Sequence, residues 1–66
     1  MSEQAKQLYC ELLSEEIVEM FGVSKELAVN AVENSAIQRL IRDCPEYVDH
    51  VPLSSWAEDV HAEMFS

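Results

Sequence analysis

Apolar residues recur at three- and four-residue steps through the first third of the chain: Ala5, Leu8, Tyr9, Leu12, Leu13, Ile17, Met20 and Phe21. That spacing predicts one apolar stripe along a helix. Glu11, Glu15 and Glu19 repeat every four residues on the opposite, wet face, where like charges cost about 0.2–0.5 kcal/mol per pair. Gly22 suits the left-handed residue that ends a helix, and Val23 can supply the apolar contact that follows it. The first helix is therefore predicted from about residue 3 to residue 21.

Ser24 is a good N-cap, with Glu26 in the first turn to complement the helix dipole. A second helix follows, with Leu27, Ala28, Ala31, Val32 and Ser35 expected on its buried face and Asn30, Glu33 and Asn34 looking outward. Asn34-Ser35 marks a break, after which Ser35 is expected to cap a short helix carrying Ile37, Leu40 and Ile41 inward. Arg39 and Arg42 fall near its C-terminal end, where cations are favoured. Cys44-Pro45 closes that helix, because the residue before proline avoids the α region. Pro45 can open a further turn through Asp49, and Val51-Pro52 interrupts the chain again. Ser55 with Glu58 three residues later reads as a capping box for a last helix, whose inner side would hold Trp56, Ala57, Val60, Met64 and Phe65. No repeat or flexible linker appears. Residues 1–66 are expected to form a single domain, a compact all-α bundle of four to five short helices.

Composition agrees with this and narrows it. Of 66 residues, 48% are hydrophobic, with one glycine and two prolines, which suits helices better than a turn-rich β fold. A domain of this size buries only about 60% of its unfolded surface, so a stability on the order of a few kcal/mol is expected. No apolar run approaches the about 20 residues needed to cross a bilayer, and no signal-peptide pattern is present. A cytoplasmic location is expected, with Cys10 and Cys44 reduced and partly buried.

Charge changes the picture more. Thirteen acidic and four basic side chains leave a formal net charge of −9. From Asp43 onward there are six acidic residues and no Lys or Arg. Negative potential is expected over the whole outside of the bundle, including the exposed side of the second helix. Such a surface disfavours nucleic acid and anionic membranes, since neither releases counterions to an acidic partner. It favours rapid encounter with a basic protein.

The charge conflicts with a resemblance. Ile17-x-x-x-Phe21-Gly22-Val23-Ser24 looks like the helix-turn-helix of many bacterial regulators, whose second helix reads the major groove with Arg, Lys, Asn or Gln. Here that helix offers Lys25, Asn30 and Asn34 against Glu26 and Glu33, with no basic patch beside it. The first two helices are thus expected to be arranged like a helix-turn-helix, with DNA binding as an alternative function. Met20-Phe21-Gly22 is similar, in permuted order, to the loop with which ubiquitin-associated domains bind ubiquitin, a second alternative.

Over residues 8 to 64 the chain resembles a family of short all-helical bacterial domains of unknown function, of the type found in gut Firmicutes. The resemblance rests on Gly22-Val23-Ser24, Ile37 with Leu40-Ile41, Tyr47 with His50, and the stretch from Trp56 to Val60. Asp49 stands where an aromatic residue is expected. The family carries no established activity, so the resemblance implies no catalytic residue. It implies a regulatory or antitoxin-like binding role, some members lying beside small toxin-like genes.

Candidate chemistry is sparse. Cys10, Cys44, His50 and His61 lack zinc-ligand spacing. Cys44 or Asp49 with His50 can be drawn as a catalytic pair, but the chain has little material for a water-excluding pocket and no phosphate loop. No cofactor, metal or catalytic residue is assigned, and Asp49-His50 is read as a loop pin. Trp56 is expected to plug the bundle. Apolar groups ringed by charge are what a protein-binding surface looks like. Glu58, Asp59, Glu63, Met64 and Phe65 are the candidate binding residues, with Met64 and Phe65 exposed or making a homodimer contact.

Overall fold

The hydroxyl of Ser2 accepts a hydrogen bond from the Ala5 N–H at 3.1 Å, satisfying a donor that the first turn of a helix leaves unpaired. It opens α1 (Glu3–Phe21). Four more helices follow in the computed structural model, which describes residues 2–64: α2 (Lys25–Glu33), α3 (Ile37–Asp43), α4 (Pro45–His50) and α5 (Leu53–Met64). No strand occurs among the described residues. The fold is the expected small all-α bundle, with α1 and α2 joined by a three-residue turn.

Gly22 ends α1 at φ 69°, ψ 22°, its N–H donating to the Val18 carbonyl at 2.9 Å. A side chain here would meet open space, so substitution costs only the left-handed backbone itself. Gly22→Ala is expected to lose about 1–2 kcal/mol in urea unfolding. Gly22→Asn should lose less, because asparagine tolerates that conformation; equal losses would show that the turn is not what is being strained. Ser24 caps α2 as expected, accepting from the Leu27 N–H at 3.2 Å. Ser35 caps from one position earlier than a standard N-cap. Its hydroxyl accepts from the Ile37 N–H at 3.1 Å while Ala36 occupies the cap position of α3.

α1 lies against α2 and α5, while α3 and α4 close the bundle. The core is Leu13, Ile17, Ala28, Val32, Ile37, Ile41, Val48, Trp56, Ala57 and Val60. The inner face of α1 runs through Tyr9, Cys10, Leu13, Ser14, Ile17 and Phe21. This corrects the predicted stripe: Ala5, Leu8, Leu12 and Met20 are exposed, Leu8 by 58%. Eight apolar positions spread over too much of the helix circumference for two neighbours to cover. Ser14 takes a core position instead, its hydroxyl donating to the Glu11 carbonyl at 2.8 Å, which removes the cost of burying it.

Two further expectations change. Leu27 is 51% exposed, because α2 turns its Ala28–Val32 edge to α1 and leaves the Leu27 edge out. The last helix starts at Leu53, two residues before the expected cap. The Pro52 carbonyl receives the N–H groups of Ser55 and Trp56 at 3.0 and 3.3 Å, so Ser55 lies inside the first turn and no capping box with Glu58 is needed. α4 begins at Pro45 as predicted. Its geometry leaves one acceptor stranded: the Val48 carbonyl would ordinarily take the N–H of residue 52, but Pro52 has none. The indole N–H of Trp56 fills that place at 3.1 Å.

Candidate interaction surface around the C-terminal helix

Trp56, Ala57 and Val60 anchor α5 to the core, which leaves its other side free to carry charge. Glu58, Asp59 and Glu63 are all exposed. Glu63 also reaches the turn before α3, where its Oε2 accepts from the Ala36 N–H at 3.3 Å. Asp59 and Glu63 line a groove of about 250 Å³ against α3, together with Leu40 and Trp56. On the other side Glu63 and Met64 line a shallow groove of about 270 Å³ against α2, with Leu27, Asn30, Ala31 and Asn34. Glu58 lines neither.

Met64 is half-buried rather than exposed, at the edge of this groove. Phe65 lies outside the described residues. Trp56 is buried, as expected. The fold thus brings Glu63 and Met64 together with Leu27, a residue that sequence reasoning had placed in the core. The signal was present: Leu27 continues at helical spacing into the polar Asn30 and Asn34, whereas Ala28 continues into Val32. Met20 is exposed, but Phe21 beside it is half-buried and stacked on His61, with centroids 3.7 Å apart and rings 8° from parallel.

The basic side chains are not dispersed among the acidic ones. Lys6, Arg39 and Arg42 line one open groove of about 460 Å³ between α1 and α3. Lys6 also borders a second groove of about 420 Å³ along α1 and α2, which Lys25 shares with Glu3, Glu11 and Glu33. Uniform negative potential is therefore not what the fold presents: residues far apart in the chain gather a locally cationic flank. On α2 itself Lys25 stands with Glu26 and Glu33, all exposed.

The thiols and imidazoles are scattered. Cys10 is half-buried and accepts from Gln38 Nε2 at 3.5 Å, a group that also donates to the Val32 carbonyl at 3.0 Å. Cys44 is exposed rather than partly buried, since it sits at the open α3–α4 corner, and both thiols are free. Asp49 and His50 are exposed. Among the described residues no three His, Cys, Asp or Glu side chains converge as a metal site, and no helix is long and apolar enough to cross a membrane. The Tyr9 hydroxyl is enclosed without a hydrogen-bond partner among the described residues. Burial, followed by the charges of Asp49 and Cys10, holds it above the usual tyrosine pKa. The folded state resists its ionisation, so this contribution to stability is present below the ordinary tyrosine pKa and is lost as pH rises through the raised value.

Compared with known proteins, the chain matches no protein-family pattern, no curated protein and no solved structure.

Proposed function

We propose that this chain is a non-enzymatic interaction module whose acidic α5 side meets a basic protein partner, in a regulatory or antitoxin-like role. The observation that carries the reading is the groove joining Leu27, Ala31 and Met64, bordered by Glu63. It offers a small apolar anchor beside the Glu63 carboxylate, with Asp59 and Glu58 exposed elsewhere on the same helix. Apolar contact would supply affinity there, and the charged border would steer approach and suppress wrong partners.

The test is a paired capture experiment with the wild-type chain and a Glu58→Lys/Asp59→Lys variant. Neither residue belongs to the core, so the variant should fold. A specific basic protein held by the wild type should associate at least about tenfold more slowly with the variant, most visibly at low salt. Identical association rates would remove the acidic side from the binding step.

A second reading, a diverged helix-turn-helix that binds DNA, is favoured by the gathering of Lys6, Lys25, Arg39 and Arg42 along adjoining grooves. Against it, α2 presents Glu26 and Glu33 beside its single lysine, and duplex DNA would meet a chain of formal charge −9. A gel shift at low salt with pooled genomic fragments separates the two, since retarded DNA belongs to this second reading alone.

A further inference from the structure

The chain has only four Lys and Arg residues, and three of them line one groove. Lys6 reaches it from α1, Arg39 and Arg42 from α3, and no Asp or Glu shares the lining. Folding has therefore assembled a cationic cluster that the chain order does not contain. Like charges brought together oppose folding slightly, and thirteen carboxylates were available to neutralise them. Arg42 takes one, its Nε donating to Asp43 Oδ1 at 3.1 Å. Lys6 and Arg39 form no ion pair among the described residues.

We propose that the Lys6–Arg39–Arg42 groove binds a doubly charged phosphoryl group, of the kind carried by a phosphorylated side chain or by a nucleotide. Two guanidinium groups present planar forks of N–H donors that match phosphate oxygens two at a time, and an ammonium adds a compact point charge. Asp43 occupies only the Nε of Arg42, so its terminal nitrogens remain to donate. A phosphoryl group brings about −1.5 to −2 charge and three acceptor oxygens, enough to engage all three cations. A single carboxylate, with one charge and two oxygens, leaves part of the cluster uncompensated.

The net negative charge of the molecule does not prevent this. The Debye length is about 8 Å at physiological ionic strength, and the molecule measures 28 × 21 × 19 Å. Carboxylates on its far side are thus largely screened from the groove. Of the nearer carboxylates, Asp43 is engaged by Arg42 and Glu63 by the Ala36 N–H, while Glu3, Glu11 and Glu33 line the adjoining groove that Lys6 also borders. The same net charge opposes a long polyanion, which would run past the groove onto acidic surface. The proposal is separate from the basic-partner reading, since it uses a different groove and the opposite sign of charge.

The experiment is an NMR amide titration of the full chain at physiological ionic strength with ADP, a phosphoserine peptide, the same peptide carrying glutamate in place of phosphoserine, and a short DNA duplex. Saturable shifts at Lys6, Gln38, Arg39 and Arg42 with ADP, the phosphoserine peptide or both are expected. Which of the two acts identifies the source of the phosphoryl group. Lys6→Gln and Arg39→Gln should each weaken binding roughly tenfold, whereas Lys25→Gln should leave it unchanged. Both Lys6 and Arg39 lie outside the core, and circular dichroism confirms that the variants remain folded. No saturable shift, an equal response to the glutamate peptide, tighter binding of the duplex, or equal weakening by Lys25→Gln would each overturn the assignment.

Discussion

Trp56→Ala is expected to cost about 3–5 kcal/mol and to leave much of the population unfolded at room temperature. A domain of this size has on the order of a few kcal/mol to lose. Trp56 is the bulkiest side chain of the core and only 6% exposed. It meets the Tyr47 ring edge-on, with centroids 5.8 Å apart and rings at 84°, and such pairs add about 0.5–1.5 kcal/mol beyond burial. Its indole N–H also supplies the donor that Pro52 cannot give to the Val48 carbonyl. Removing the ring therefore opens a cavity and strands a buried acceptor together. Trp56→Phe separates the two effects. It keeps an aromatic plug while leaving the carbonyl unpaired, and should lose about 1–3 kcal/mol. Far-UV circular dichroism in urea measures both, because the chain has no other tryptophan to report unfolding. A Trp56→Phe variant as stable as the wild type would show that the indole bond contributes nothing.

The second large effect contrasts neighbours. Leu13→Ala should cost about 2–5 kcal/mol, since Leu13 is fully buried where α1 meets its partners. Leu12→Ala should cost no more than about 0.5 kcal/mol, because Leu12 is 45% exposed and alanine is the better helix former. Urea midpoints of the two variants decide the matter. Comparable losses would mean that α1 does not turn Leu13 inward and Leu12 outward.

That contrast shows where sequence reasoning stopped. Leu12 and Leu13 both belong to the apolar spacing of α1, and nothing local separates them. The helix carries more apolar positions than α2 and α5 can cover, so its inner face depends on which neighbours arrive and from where. Leu27 illustrates the same point on a shorter helix. Chain order also concealed the cationic groove, because Lys6 and Arg39 come to line one groove only in the folded chain. The start of α5 differs from the expected cap for another reason: Ser55 and Glu58 make a sound capping box, but the Pro52 carbonyl already serves the N–H groups of Ser55 and Trp56.

The chemistry of single residues was enough for the helices and their breaks. Gly22 takes a positive φ, Ser24 offers an oxygen to orphaned N–H groups, and Pro45 opens a new turn after Cys44; none of these effects needs a distant partner. Composition likewise settled the helical class and the excess of negative charge. The inward face of α1, the exposure of Leu27, the groove that Leu27 shares with Met64 and the gathering of Lys6, Arg39 and Arg42 around one groove arose only when the helices met. Burial and electrostatic potential are properties of surfaces in contact, and a linear order of residues does not say which surfaces those will be.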